Sequence, residues 1–137
     1  MSKAISKNNQ MVGNIGLFYT CYRLSKLGWN AMPTSRNARG IDIIMYGQNG
    51  IKKHTVQVKS LTKRSPVPIG SNLESLFADY LIICRNVFDN PEMFVTTPKD
   101  VYRKIHKGQA QGRISYWLQP KDYEVFKDNW NLIGSGF

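Results

Sequence analysis

Asp42 is the only acidic residue among positions 1–73, a segment that holds eleven of the nineteen lysines and arginines. A carboxylate in such surroundings tolerates burial only if a metal ion or a guanidinium compensates it. Asp42 is therefore a candidate for chemistry, and the competing reading is a turn or cap aspartate. Downstream, Gln57-Val58-Lys59 sets an amide and an amine on either side of a valine. In an extended strand alternate residues share a face, so Thr55, Gln57 and Lys59 point one way and Val56, Val58 and Ser60 the other.

These side chains need a scaffold, and the hydrophobic pattern supplies one. Apolar residues from Val12 to Leu27 recur at three- and four-residue intervals, which predicts an amphipathic helix over 11–27 that Gly28 stops. Strands are predicted at 29–34, at 41–46 and at 53–61, with a polar loop over 35–40 and an Asn49-Gly50 hairpin turn between the last two. The proline- and glycine-bearing stretch 63–72 reads as a loop, and 73–77 as a helical turn or an extension of it. The fully apolar centre of 80–85 predicts a buried strand, paired with a short one at 93–96. Thr97 as N-cap, Pro98 at the first helical position and Asp100 in the first turn predict a helix to about residue 107. Residues 108–112 end it, a strand follows at 114–118, and a last helix begins at Gln119-Pro120 and carries Tyr123, Phe126 and Trp130. The sum is a mixed α/β chain with a central sheet flanked by helices, one domain over 11–133 with a disordered tip (1–10) and a frayed tail (134–137). No glycine-rich phosphate loop follows any strand, which argues against a nucleotide-binding domain.

Gly40-Ile41-Asp42, a hairpin, and Gln57-Val58-Lys59-Ser60 resemble the core of the PD-(D/E)xK, or restriction endonuclease-like, nuclease superfamily in its Gln-x-Lys form. Upstream, Gly13-Asn-Ile-Gly16 and Leu24-Ser-Lys-Leu27-Gly28-Trp29 are similar to that family's first helix and its exit. The resemblance implies a restriction endonuclease-like core and a metal-dependent DNA endonuclease using Mg2+ or Mn2+. It gives Asp42 the role of anchoring metal ligand, Gln57 and the Val58 carbonyl secondary places in the shell, and Lys59 the charge that stabilises the attacking hydroxide or the transition state. It also implies a homodimer, because cutting a duplex usually takes two centres. One departure stands out: relatives often carry a glutamate in or just after the Gly-x-x-Gly segment, where this chain has Leu17-Phe18, and residues 1–41 hold no acid at all. Glu74 and Asp79 are the nearest downstream acids that could replace it.

Flanking the same two strands, Arg36, Asn37, Arg39, Lys63 and Arg64 are candidates for nucleic-acid contact, with DNA the expected partner. The net charge of +10 suits a polyanion, and by halves all of that excess falls within residues 1–73. Cys21 and Cys84 lack ligand spacing and read as buried reduced thiols. With no run of apolar residues long enough for a membrane span and no signal-like start, a soluble, intracellular (cytoplasmic) protein is expected. Two other readings fit the same residues: a nuclease-fold module that binds nucleic acid without cutting it, and a protein-interaction domain.

Overall fold

The computed structural model describes residues 8–38 and 40–137, with the backbone alone for residues 36–38. Among them, eight strands form two sheets: β1 (Asn30–Ala38), β2 (Ile41–Tyr46), β3 (Lys53–Ser60), β4 (Val67–Gly70), β5 (Tyr80–Arg85), β6 (Glu92–Thr96), β7 (His106–Ala110) and β8 (Arg113–Leu118). The larger sheet runs β1-β2-β3-β5-β6, antiparallel throughout except for the parallel β3–β5 pair at its centre. The smaller runs β4-β8-β7 and is antiparallel.

Helix α1 (Asn9–Lys26) starts on Asn8, whose side chain accepts the Met11 N–H at 2.7 Å, as short polar N-caps do. Residues 8–10, expected in a disordered tip, thus cap or begin the helix, and residues 1–7 of that tip lie outside the described residues. The helix covers one face of the large sheet through Val12 and Leu24, which pack with Ile43, Met45, Val56, Ile82 and Cys84. The other face is covered by the small sheet and by helices α2 (Pro98–Lys104) and α3 (Pro120–Tyr123). There Val67, Ile69, Val101, Leu118 and Tyr123 meet Leu81, Ile83 and Phe94. With both faces covered, β5 has to be apolar on both, which is why it was the plainest strand in the sequence.

Helix α1 and strand β3 approach closely at Gly16. A methyl group there would overlap the Ser60 hydroxyl and come within 2.8 Å of its Cβ. Overpacking of that kind costs about 1–3 kcal/mol. Gly16→Ala should therefore lower the melting temperature by several degrees, and adding Ser60→Gly should restore most of the loss in a thermal denaturation series. A double variant no more stable than the single one would show that the helix is not seated on Ser60.

Several expected loops are ordered strands. Residues 35–38 extend β1, with a break in register between Pro33↔Ile43 and Ala38↔Ile41. Within 63–72, Val67 and Ile69 alternate into the core as β4, and the neighbouring prolines are tolerated because β4 is an edge strand. The capping box on Thr97 and Asp100 forms as expected, but α2 stops at Lys104, and residues 106–110 return as β7 rather than ending a longer helix. After α3 the chain continues in 3-10 turns (Glu124–Phe126 and Trp130–Leu132), not one helix. The tail expected to fray is tied down: Gly136 N–H donates to the Leu27 carbonyl at 2.9 Å, and the Gly136 carbonyl accepts from Gln48 N–H at 2.7 Å.

One buried cation anchors the far side. Arg85, at the end of β5, lies over the Phe94 ring and bonds Glu92, Glu124 and Tyr123. Hydrogen bonds from Arg64 and Arg85 hold the Glu124 carboxyl down to about 2. Both cysteines are free, and burial pushes Cys84 up to about 12 and Cys21 up to about 11. No helix among the described residues is long and apolar enough to cross a membrane.

Candidate active site

The ladder between β2 and β3 ends at Ile43↔Val56. Beyond it the strands part, because β2 turns away through the irregular stretch opposite β1. Asp42 stands in the gap, and its Oδ2 accepts the Val58 N–H at 2.7 Å where a main-chain carbonyl would otherwise serve. The N–H and C=O of one residue leave a strand on the same side, so the Val58 carbonyl also faces the gap. Two contacts hold the approach to Asp42. The Thr34 hydroxyl donates to the Ile41 carbonyl at 2.8 Å. Gly40, at φ +78°, lets the chain press so close to the 73–77 segment that a Cβ would meet the Ser75 carbonyl at 2.6 Å.

A cleft of about 980 Å³ opens at this gap, lined by Asn9, Gln10, Gly13, Asn14 and Leu17 of α1 together with Thr34, Asp42 and Val58. Asn9, Gln10, Asn14 and Thr34 are absent from the candidates read in sequence. For those on α1 the signal was the three- and four-residue spacing of Gln10, Gly13/Asn14 and Leu17, which places them on one helical face, whereas Thr34 on β1 left no such mark. Of the two residues standing where the resemblance had implied an acid, Leu17 reaches the cleft, whereas Phe18 is 60% exposed and does not line it. Neither downstream acid replaces the glutamate. Asp79 accepts from the Thr55 N–H and hydroxyl at 2.8 and 3.2 Å and lies 3.8 Å from His54, and Glu74 is exposed in the 3-10 turn Leu73–Ser75. Among the described residues no three His, Cys, Asp or Glu side chains gather to hold a metal.

Gln57 and Lys59 alternate with Val58 and leave β3 on the face opposite α1, above Leu81 and Ile83, their partners in register on β5. Gln57 is only 8% exposed, and its amide makes no hydrogen bond among the described residues. Burial lowers the Lys59 pKa from its ordinary 10.5, and the charge of Asp42 opposes that shift. Asp42 and Lys59 do not form a salt bridge: among the described residues the ion pairs join other groups. Amides of α1 and the Asp42 carboxylate thus line the gap, Lys59 lies near enough to feel the Asp42 charge, and Gln57 is not among the residues that line the cleft.

Of the expected nucleic-acid contacts, Lys63 is exposed just beyond β3. Arg64 forks onto Glu124 at 2.8 and 2.9 Å, so its fork is occupied by a carboxylate. The Arg36 and Asn37 side chains and all of Arg39 lie outside the described residues.

A central mixed sheet flanked by helices is the restriction endonuclease-like α/β fold that the sequence led us to expect. Among solved structures, the chain is similar to Hjc, a Holliday junction resolvase from the archaeal hyperthermophile Archaeoglobus fulgidus (TM-score 0.63, 15% identity, 91% of this chain and 98% of that one). It is also similar to the bacterial homing endonuclease I-Ssp6803I (TM-score 0.62, 16% identity, 92% of this chain and 91% of that one). No family model matches the sequence, and no curated protein matches it.

Proposed function

We propose that this chain is a metal-dependent endonuclease that hydrolyses DNA phosphodiester bonds at the gap between β2 and β3. The observation that carries the reading is Asp42, held on the Val58 N–H at a strand divergence beside a lysine whose pKa burial has lowered. The likeness to two DNA-cutting proteins supports it.

The donors fit a hard cation such as Mg2+ or Mn2+: one carboxylate oxygen of Asp42 that the Val58 bond leaves over, the Val58 carbonyl and the unbonded Gln57 amide oxygen. When bound, such an ion supplies Lewis-acid stabilisation of phosphate charge and a more acidic water. A single carboxylate makes a weak site, so substrate phosphate has to help complete the shell. Asp42 fixes the position of that shell. Lys59, protonated, places positive charge against the oxygen that gains charge as water attacks in line. Cutting both strands of a duplex takes two such centres, and a homodimer would provide them.

The test is incubation of supercoiled, linear and branched DNA with magnesium or manganese, comparing wild type with variants at Asp42 and Lys59. Equal background in all proteins would sink the proposal. Lys59→Met should reduce cleavage roughly a hundredfold, as loss of one transition-state charge does. The wild-type rate should fall as pH rises through the lowered lysine pKa, below 10.5, because the protonated form is the active one. In the methionine variant that limb should vanish. Stability moves in the opposite sense: between the folded pKa and 10.5 the unfolded chain binds the extra proton, so wild-type stability rises with pH there. Lys59→Met should accordingly melt no lower than wild type at neutral pH.

A second reading is favoured by the lack of any cluster of metal-ligating side chains among the described residues: a nuclease-fold module that binds DNA without cutting it. Salt-sensitive retention of DNA with no cleavage in either metal is the result that would select it.

A further inference from the structure

The hairpin formed by β7 and β8 is longer than the core requires. Ile105, Tyr116 and Leu118 at its root pack into the core, and His106 stacks on Trp117 with ring centroids 5.8 Å apart while bonding Asp122 at 2.8 Å. Beyond that root the ladder goes on through Gly108↔Ser115, Gln109↔Ile114 and Ala110↔Arg113, yet every residue from 109 to 115 is exposed. A two-stranded ribbon with no packed face is marginal in water, so this extension does not exist to bury anything. Its turn is tight: Gln111 and Gly112 take φ +53° and +77°, the paired positive values of a type I′ hairpin. Asn or Gly would occupy the first of these positions at lower cost, and a long amide side chain stands there instead.

The chemistry of the ribbon is consistent along its length. Residues 101–121 contain Arg103, Lys104, Lys107, Arg113 and Lys121 and no acid, whereas the acids of the second half lie at 74–100 and 122–128. The division by halves hid this second basic region. The side chains of Gln109, Gln111 and Arg113 make no hydrogen bond or ion pair among the described residues, which leaves two amides and a guanidinium at one tip. The ribbon is also tied to the candidate centre. Tyr116 on β8 is registered with Gly70 on β4, and β4 leads into the segment whose Ser75 carbonyl touches Gly40, next to Ile41-Asp42.

We infer that the β7–β8 ribbon is a DNA-reading finger, which enters a groove of duplex DNA tip first, with Gln109 and Gln111 against base edges and Arg113 against phosphate. The major groove admits a two-stranded ribbon, amides pair with adenine edges, and arginine serves phosphate. The inference deepens the endonuclease reading and rests on it for the choice of duplex DNA as ligand.

The test measures binding of a labelled duplex in EDTA across a salt series, together with the distribution of cut sites on a long duplex in magnesium. Arg113→Ala should weaken binding several-fold and reduce the salt slope by about one. Gln109→Ala should leave that slope alone and spread the cut sites. All three positions are solvent-exposed, so folding should be preserved, and a melting curve identical to wild type verifies it; Arg113→Glu gives a stronger version of the first effect. If wild type binds and cuts DNA but the Gln109→Ala/Arg113→Ala double variant keeps the same affinity, salt slope and cut sites, the finger is refuted and the nuclease reading stands. If wild type binds without cutting and the variants still lose affinity, the finger stands and catalysis falls. If wild type neither binds nor cuts, both are overturned.

Discussion

Asp42→Asn is expected to slow DNA cleavage by about a thousandfold or more while moving the melting temperature by only about a few degrees. Asparagine keeps the shape of the side chain and an oxygen that can accept the Val58 N–H, which Asp42 accepts at 2.7 Å. The strand divergence should therefore survive. What is lost is the one formal negative charge at the gap. A metal's stabilisation of phosphate charge is worth several kcal/mol, and about 4 kcal/mol corresponds to three powers of ten in rate. Single-turnover cleavage of supercoiled DNA in saturating magnesium, alongside thermal melting, measures both quantities. A variant retaining a tenth of wild-type activity would mean that Asp42 is an interstrand brace and nothing more.

The second large effect is a gain. Asn14→Glu should lower the magnesium concentration giving half-maximal cleavage by about tenfold or more, since charge count on the ligands is what chiefly tunes affinity for hard cations. Asn14 is exposed on the α1 face that lines the cleft with Asp42, so a carboxylate placed there remains hydrated until metal arrives. Gln57→Glu is the less favourable route, because position 57 is only 8% exposed and an acid there would pay for desolvation first. Titrating magnesium against initial rate in Asn14→Glu, with Asn14→Gln as the uncharged control, separates the effect of charge from that of side-chain length. Equal half-saturation in both variants would place the metal away from α1.

The sequence made β2, the β3 segment and β5 readable because strong alternation or unbroken apolar runs mark them. Asp42 was readable as a lone acid in a basic half. The pairing of Gln57 with Lys59 on one face followed from strand period alone. What escaped had physical reasons. Pro66 and Pro68 masked the alternation of Val67 and Ile69, since prolines signal loops unless an edge strand accommodates them. Residues 106–110 have no apolar alternation, because the ribbon they form packs against nothing beyond its root. Asn9, Gln10 and Asn14 look like ordinary surface amides, and only the docking of α1 by way of Gly16 brings them to the cleft. Arg64 looked like a free cation until α3 and the turn after it brought Glu124 to its guanidinium.

The irregular stretch between Pro33 and Ala38 has another consequence. β1 is an outer strand of the five-stranded sheet, and an open edge of unpaired N–H and C=O groups is a template on which a neighbouring molecule can add its own strand. Pro33 has no N–H to offer, and a register break that sets the four residues 34–37 of β1 against Asp42 alone of β2 bends the edge out of line. The distortion that clears space for a carboxylate therefore also guards the protein against edge-to-edge aggregation, and straightening it would endanger solubility as well as the site.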